Sequence, residues 1–372
     1  MKFTINKSTI LNVLARIQGI TGRRTNLAIT TNALITATSS GVVISATDLE
    51  TGFEGSYSAT IESEGTAAIN ARKLYEIVRE FPSEEILIHE VENHWIQISN
   101  QNVEYHLVGM NPDDFPDIPK IKDVQFFKID STALRKMIDK VVIISGAADD
   151  RRAHIVGLFV ESIEKDEHTV FRMISTDGSR LSTVDHFYDK DFDLPIKEGF
   201  LIPKKGMHEV SKFLEQEGSV QIGIKDNNFV IQKDTETIII RLLEGDFPEY
   251  GDIVLKGDAQ TITMDKQLFL MMLKRMSILS SEDYRSVAFN FVNDQLIITS
   301  TNPDIGESKE SMAIEFKGDP IQVAFNPRYF IETLGVIESD KVILSVTNEE
   351  KPCLIEGEGD NSFLTVIMPM RI

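Results

Sequence analysis

FTINKSTIL, at residues 3–11, decides the fold, because it is the first of three versions of one pattern. The pattern returns as FKIDSTAL at residues 127–134 and as ITMDKQLF at residues 262–269. In each version, alternating apolar residues precede an Asn or Asp and then apolar residues at helical spacing, which predicts a short strand leading into a capped helix. The candidate N-cap acceptors are Asn6, Asp130 and Asp265. Where a hydroxyl residue follows, it is the alternative. The chain is therefore built from three copies of one unit, roughly 125 to 135 residues apart.

Three further landmarks follow in the same order in every copy. A strand ends in a polar turn, a strand meets a second helix with a basic residue at its start, and the unit closes on a segment that contains proline. The turns are residues 47–50, 176–180 and 301–304, the second helices start within 69–73, 202–206 and 325–329, and the closing segments are 114–117, 246–250 and 368–372. We therefore expect an α+β fold of three repeated domains, at residues 1–122, 123–256 and 257–372. Each domain should have two helices packed on antiparallel sheets.

Charge is distributed unevenly along the chain. The 372 residues carry a net charge of −20, which argues against a nucleic-acid partner because lysine and arginine are needed to neutralise phosphates. The predicted helices are residues 8–19, 71–80, 131–143, 204–214, 266–277 and 327–336. Together they carry +9, so the rest of the chain carries −29. If the helices share one side of the molecule, that side attracts a polyanion. The alternative is that these cations only solvate the outer helix faces.

Sequence patterns for enzymatic chemistry are missing. The chain has no phosphate-binding glycine loop and no G-x-S-x-G nucleophile motif, and no pair of carboxylates stands out among 58 acidic residues. Asp189, Asp191 and Asp193 imitate the start of a calcium loop, but Leu194 and Phe200 occupy the positions of its glycine and closing glutamate. We expect a protein that is not an enzyme.

The remaining features concern metals and location. His89 and His94 flank an acidic turn, but no further His or Cys lies at ligand spacing, so we expect a solvated hairpin and no metal or cofactor. Cys353 is the single cysteine, which suits a reducing compartment, and its neighbours favour a strand position. The N-terminus runs into a strand pattern without a leader, and no apolar run approaches the roughly 18 residues of a membrane span. These observations predict a cytoplasmic protein with no membrane partner.

Several motifs together are similar to those of one known family. They are MKFT at residues 1–4, GRRTNL at 22–27, TDLE at 47–50, ARK at 71–73, TDGSRL at 176–181, FPEY at 247–250 and MPMRI at 368–372. Over the whole chain they resemble the bacterial DNA polymerase III β subunits, which are sliding clamps and processivity factors. The resemblance implies three clamp domains that form half of a ring, closed by a head-to-tail homodimer with helices lining the hole. Such a ring encircles double-stranded DNA and contacts it without sequence preference.

The resemblance also implies three sets of contact residues. The DNA-binding positions are Arg24, Arg72, Asp149, Arg152, Ala153, His154 and Lys205. A cleft for short linear peptides is implied at Ile155, Thr176, Gly178, Arg180, Leu181, Pro248, Ile253, Tyr284, Asn326, Tyr329, Val366, Met368, Pro369, Met370 and Arg371. The dimer contact is expected between Tyr105 and Leu107 of one subunit and Ile278 and Leu279 of the other. Asp149 and Asp252 depart from the basic or neutral residues expected at those positions.

The partners implied for the cleft are the DNA polymerase III α subunit, the clamp loader, other polymerases and repair proteins.

Two other functions remain open from the residues alone. One is a repeat-built scaffold that binds only protein, which predicts no retention on DNA. The other is an acidic hydrolase with an unrecognised carboxylate pair, which predicts turnover that is lost when one Asp or Glu is mutated.

Overall fold

The chain forms two compact units. The computed structural model describes residues 1–22, 25–144, 146, 150–214, 217–280 and 286–370. Unit 1 consists of Met1–Arg135 and Lys205–Leu242, and unit 2 consists of Lys136–Lys204 and Leu243–Ile372. Each of the four sheets lies within one unit.

The helices follow the sequence pattern closely. The described α-helices are α1 Lys7–Thr21, α2 Ala71–Glu80, α3 Ser131–Val142, α4 Ala153–Val156, α5 Lys204–Phe213, α6 Lys266–Met276 and α7 Pro327–Val336. All six predicted helices are confirmed, with ends that differ by at most two residues. Short 3₁₀ helices occupy Ala28–Thr31, Pro112–Asp114, Gly251–Val254 and Ser277–Leu279.

The predicted N-caps are also confirmed. Side-chain oxygens of Asn6, Asp130 and Asp265 accept backbone N–H groups of the first helical turn at 2.9, 2.9 and 2.8 Å. Each cap satisfies a donor that a helix start leaves without an intrahelical partner.

The strands are short and all their pairings are antiparallel. They are β1 Lys2–Asn6, β2 Asn32–Thr38, β3 Gly41–Thr47, β4 Thr51–Tyr57, β5 Thr60–Ser63, β6 Gly65–Asn70, β7 Glu85–Glu90, β8 Trp95–Ser99, β9 Glu104–Val108, β10 Phe126–Asp130, β11 Gly157–Lys165, β12 His168–Thr176, β13 Arg180–Asp189, β14 Phe200–Pro203, β15 Ser219–Lys225, β16 Asn228–Lys233, β17 Glu236–Arg241, β18 Gln260–Asp265, β19 Val287–Val292, β20 Gln295–Asn302, β21 Gly306–Ala313, β22 Ile321–Phe325, β23 Lys341–Val346, β24 Cys353–Gly357 and β25 Phe363–Ile367.

Unit 1 contains a five-stranded sheet and an eight-stranded sheet. Their strand orders are β5-β1-β7-β8-β9 and β10-β15-β16-β17-β4-β3-β2-β6. In the larger sheet, β17 pairs with β4, so that the buried side chains of Ile238 and Phe53 stand opposite each other. A strand of the second repeat therefore continues the sheet of the first repeat, with no linker separating their cores.

Unit 2 is joined in the same way. Its eight-stranded sheet has the order β14-β11-β12-β13-β25-β24-β23-β18, and its four-stranded sheet has the order β21-β20-β19-β22. The central join pairs β13 of the second repeat with β25 of the third, with Leu181 opposite Val366. The domain boundaries drawn from the sequence remain predictions, because the compact units divide the chain differently.

Apolar side chains at helical spacing fill the cores. In unit 1, Ile10, Leu14 and Ile17 of α1 and Leu74 of α2 are fully buried. In unit 2, phenylalanine rings on two helices and two strands pack edge to face or tilted, with centroids 5.1 to 6.2 Å apart. Burial of such a side chain contributes about 1.5 to 3 kcal/mol to folding.

The polar turns of the first two repeats share their backbone geometry. Asp48 Oδ1 accepts the N–H groups two and three residues later at 3.0 and 2.6 Å, and Asp177 Oδ1 does the same at 3.0 and 3.1 Å. The residue after each Asp has a positive φ, 77° at Leu49 and 88° at Gly178. Glycine adopts this conformation without the steric cost that leucine meets.

Candidate functional site

A cavity of about 240 Å³ lies in unit 2 beside the join of β13 and β25, and we call it the cleft. Its floor is the cross-strand pair Leu181 and Val366, which packs on buried Ile174 and Leu354. The lining residues are His154, Thr176, Gly178, Arg180, Leu181, Pro248, Glu249, Tyr250, Ile253, Val366 and Met368. Eight of these were predicted for the peptide cleft, so the structure brings together residues from three distant segments of the sequence.

A second cavity, of about 630 Å³, adjoins the cleft, and we call it the adjoining cavity. It is lined by Val323, Ala324, Glu349, Glu350, Met368, Pro369 and Met370. Met368 lines both cavities. The backbone N–H of Met368 donates to the carbonyl of Ser179 at 2.9 Å, and that of Met370 donates to the carbonyl of Ala324 at 2.8 Å. These two bonds fix the segment that separates the cavities.

Arg180 is the buried cation of the cleft. Its guanidinium donates to Asp177 Oδ2 at 3.0 Å, forms an ion pair with Glu332 at 2.6 Å and reaches the carbonyl of Ile143 at 3.4 Å. It also lies over the ring of Tyr329, 4.4 Å from the centroid, in a cation–π contact. Among the described residues, its Nη1 has no hydrogen-bond partner. The planar guanidinium is therefore held in one orientation on the cleft wall.

Tyr250 forms another wall, which the sequence analysis missed. Its hydroxyl donates to Glu161 and accepts from Arg172 at 3.3 Å, and Arg172 in turn binds Asp185 through two contacts of 2.7 and 2.8 Å. The ring packs edge to face on Phe247. Burial, together with the bond to Glu161, raises the pKa of Tyr250 to about 12. The hydroxyl therefore stays protonated and able to donate at neutral pH.

Lys204 supports the wall of the cleft, and the sequence did not indicate this role. Its Nζ donates to the carbonyl oxygens of Ile155 at 2.7 Å and Thr176 at 3.1 Å. Burial lowers the pKa of Lys204 to about 8. Ile155, predicted as a cleft residue, is buried and is not among the residues that line the cavity, so it supports the wall through its backbone carbonyl.

The remaining predicted cleft residues have separate places. Asn326 is buried, and its Oδ1 caps α7 by accepting the N–H of Arg328 at 3.0 Å. Tyr329 lies on the first turn of that helix beneath Arg180. Pro369 and Met370 line the adjoining cavity. Tyr284 and Arg371 lie outside the described residues.

Arg72 lies in the first turn of α2, where its side chain is 79% exposed. Arg72 and Lys73 both bind the carboxylate of Glu76, at 3.1 and 2.8 Å. The hydrogen bonds from Lys73 and then Arg72 hold the pKa of Glu76 below its ordinary value. Two cations and one anion therefore present a local positive charge to solvent.

The other predicted DNA-binding residues divide between two places. Arg152 is 60% exposed and binds Asp150 at 2.7 Å, which lowers the pKa of that carboxyl to about 2. Ala153 begins α4, and His154 lines the cleft. Lys205 is exposed in the first turn of α5. Arg24 and Asp149 lie outside the described residues.

Many helical cations have carboxylate partners, which the charge count did not anticipate. The pairs are Arg16–Glu236, Arg79–Glu80, Lys136–Glu338, Lys140–Asp360, Lys212–Glu209 and Arg275–Glu310. In four of these pairs the carboxylate lies outside the predicted helices, so those helices are less basic than the sequence count indicates. The carboxylate partners of Arg79 and Lys212 lie on the same helices and are already included in that count. Exposed ion pairs are weak and screened by salt, so a phosphate can replace the carboxylate at the exposed ones.

The residues predicted for the dimer contact lie on exposed apolar surfaces. Tyr105 and Leu107 belong to β9, an edge strand of the five-stranded sheet, and Tyr105 is 42% exposed. In unit 2, Ile278 is 75% exposed and Leu279 is half-buried, both in the 3₁₀ helix that follows α6. An edge strand with free N–H and C=O groups beside apolar side chains is suited to pairing with another chain.

The remaining sequence predictions concern a metal site, a membrane span and Cys353. Within the described ranges, no three His, Cys, Asp or Glu side chains are grouped closely enough to hold a metal ion. No helix of the described part of the chain is long and apolar enough to span a membrane. Cys353 is buried at the start of β24, and burial raises the pKa of its thiol, as expected for a core position.

Three family models match the chain in succession. They describe the N-terminal, central and C-terminal domains of the DNA polymerase III beta subunit and match residues 1–119, 128–249 and 253–371. The beta sliding clamps of Vibrio cholerae and Proteus mirabilis are 28% and 27% identical to the chain, each over the full length of both proteins. Two solved structures, each 26% identical, cover all of both chains: a Bartonella birtlesii sliding clamp bound to griselimycin, with a TM-score of 0.92, and the Pseudomonas aeruginosa DNA polymerase III subunit beta, with a TM-score of 0.91.

Proposed function

The chain belongs to the DNA polymerase III beta subunit family and acts as a non-catalytic processivity clamp in DNA replication, and we propose that it does so as a head-to-tail homodimer around duplex DNA. In this proposal, each chain is half of a ring of six clamp domains. The three repeats of the sequence supply the three domains of each half. The expected partners include DNA, a second copy of the chain and the polymerase.

The cleft is the observation that carries the proposal of peptide binding. It is a concave apolar site at a strand join, with a buried arginine and an oriented tyrosine at its walls. Met368, which lines both cavities, has the flexible side chain of a surface that repacks around different ligands. We propose that short linear peptides of the polymerase III α subunit, the clamp loader, other polymerases and repair proteins bind here in turn.

The expected affinity suits exchange between partners. A leucine or phenylalanine of the peptide gains about 1.5 to 3 kcal/mol when it is buried. Ordering of the peptide and loss of its free motion oppose that gain. Micromolar-class binding follows, which is weak enough for one partner to replace another on the same clamp.

DNA binding is proposed to rest on exposed cations with weak contacts. Arg72, Arg152 and Lys205 are exposed at helix starts, and each would meet phosphate and not base edges. Arg24 belongs to the same expectation. Because the ring holds DNA by enclosing it, these contacts need only be strong enough to orient the duplex and weak enough to permit sliding.

The homodimer is proposed to form between β9 of one subunit and the 3₁₀ helix after α6 of the other. Tyr105 and Leu107 supply apolar side chains from the edge strand, and Ile278 and Leu279 supply the opposing surface. Burial of these side chains removes from water an apolar surface that the single chain leaves exposed.

Loading on circular DNA tests the proposal. The protein is loaded with a clamp loader on nicked circular DNA, and half of the complexes are then linearised with a restriction enzyme before gel filtration. We expect the protein to remain with the circle and to leave the linear duplex, because an enclosing ring slides off a free end. Stable retention on the linear DNA would contradict enclosure, and absence of retention on the circle would favour a scaffold that binds only protein.

A further inference from the structure

The groove formed by the cleft and the adjoining cavity is rich in carboxylates. Glu249 lines the cleft, Glu349 and Glu350 line the adjoining cavity, and all three are exposed. Asp252, the neighbour of the lining residue Ile253, is exposed as well. Neither Glu349 nor Glu350 forms an ion pair with another residue of the described ranges. The surface that a bound peptide meets therefore carries negative charge beside its apolar lining.

The one described arginine of the groove does not offset this charge. Arg180 is shared between the carboxylates of Asp177 and Glu332, so its positive charge is already neutralised locally. A peptide with acidic flanking residues would meet repulsion where those residues approach Glu249, Glu349 or Glu350.

Glu349 and Glu350 lie beside apolar residues in the adjoining cavity, and this position indicates where a cationic side chain of the peptide would bind. Met368 lines both cavities, so an extended peptide that crosses it has apolar anchors in the cleft and its next residues in the adjoining cavity. There, the methylene groups of a lysine or arginine can pack on Met370 and Pro369 while the charged head reaches Glu349 or Glu350. The cavity thus matches both parts of a long cationic side chain.

We propose that the peptides bound by this groove carry a lysine or arginine next to their apolar anchors, and that Glu349 and Glu350 recognise it. The inference rests on the proposed peptide-binding function of the cleft and specifies its ligand. Charge in the peptide then decides which partners this clamp prefers, while the apolar anchors supply the common part of the affinity.

Three synthetic peptides with the same leucine and phenylalanine anchors test this preference. They differ in one flanking residue, which is lysine, glutamine or glutamate, and their affinities are measured by fluorescence anisotropy at low and at high salt. We expect the lysine peptide to bind about fivefold more tightly than the glutamine peptide at low salt, as for exposed ion pairs, and the glutamate peptide to bind most weakly. The differences should shrink at high salt because exposed charges are screened.

The double variant Glu349→Gln/Glu350→Gln locates the recognition. It should bind the lysine and glutamine peptides equally, with the affinity of the glutamine peptide unchanged. Glu164→Gln/Glu198→Gln is the matched control, because both glutamates are exposed in unit 2 and line neither cavity. The control should keep the full preference for lysine.

The outcomes separate this inference from the function on which it rests. If the glutamine peptide binds but lysine gives no advantage, the charge preference is wrong. If the advantage persists in Glu349→Gln/Glu350→Gln, its assignment to these two glutamates is wrong. In both cases the peptide cleft stands. If no peptide with apolar anchors binds at any salt concentration, the peptide-binding function itself fails, and the preference fails with it.

Discussion

Lys204 makes the stability of the chain depend on pH. Burial lowers its pKa to about 8, whereas a lysine of the unfolded chain titrates near 10.4. Between these two values, the unfolded state binds a proton that the folded state does not, so the free energy of unfolding rises with pH. Below about pH 8 both states are protonated and the cost of burying the charge is constant.

Lys204→Met removes this dependence. We expect the wild-type chain to gain stability relative to the variant on the order of 2 kcal/mol as the pH rises from 8 to 10. The measurement is urea denaturation of both proteins across this range, in which the difference between them cancels the titration of all other groups. Parallel stability curves would show that Lys204 keeps an ordinary pKa.

The hydrogen bonds of Tyr250 could not be predicted from the sequence. Its partner Glu161 lies 89 positions earlier in the chain, and Arg172 lies 78 positions earlier. No local sequence pattern indicates these contacts, because Tyr250 and its two partners are brought together only when the sheet forms. Thr176, Gly178 and the polar turn around them could be predicted, since their hydrogen bonds are made within five residues.

At the scale of elements, helices could be predicted from the sequence, whereas the pairing of strands from different repeats could not. Helices were predicted to within two residues because periodicity and N-caps are local signals. The four-residue helix α4 has too few residues for a period, and it was missed. The strand joins β17 to β4 and β13 to β25 were also missed, because the pairing of strands from different repeats depends on tertiary contacts. The cleft lies beside one of these joins, so its residues could be named from family resemblance but not from pattern.

The C-terminal segment after β25 is the element on which the groove depends. Met368 separates the two cavities, and its backbone is bonded to Ser179 on one side, as Met370 is to Ala324 on the other. Deletion of residues 368–372 removes this wall but leaves all of β25 in the sheet. We therefore expect peptide binding to be abolished while the chain stays folded and dimeric. Fluorescence anisotropy and analytical ultracentrifugation measure the two properties, and unchanged peptide affinity would contradict the assignment of the groove.

At the scale of the whole molecule, the charge of the chain must be reconciled with DNA as its expected ligand. The chain is strongly acidic, yet its expected ligand is DNA, and many helical cations are already paired with carboxylates. Tight DNA binding by direct contact is therefore not what the charges favour. Enclosure resolves the conflict, because a closed ring is retained by its topology and requires only that exposed cations such as Arg72 outweigh the repulsion locally. Retention on DNA should then depend on the dimer contact more than on any single cation.

Ile278→Asp tests this dependence. The side chain of Ile278 is exposed in the single chain, so the substitution should leave the fold intact, but a carboxylate buried in the proposed dimer contact is strongly unfavourable. We expect the variant to sediment as a monomer and to be lost from circular DNA, with peptide affinity unchanged because the cleft is formed within unit 2 of one chain. Leu255→Asp, an equally drastic change at another exposed apolar residue, should remain dimeric and be retained. If Ile278→Asp still forms dimers and stays on the circle, the surface after α6 is not the dimer contact.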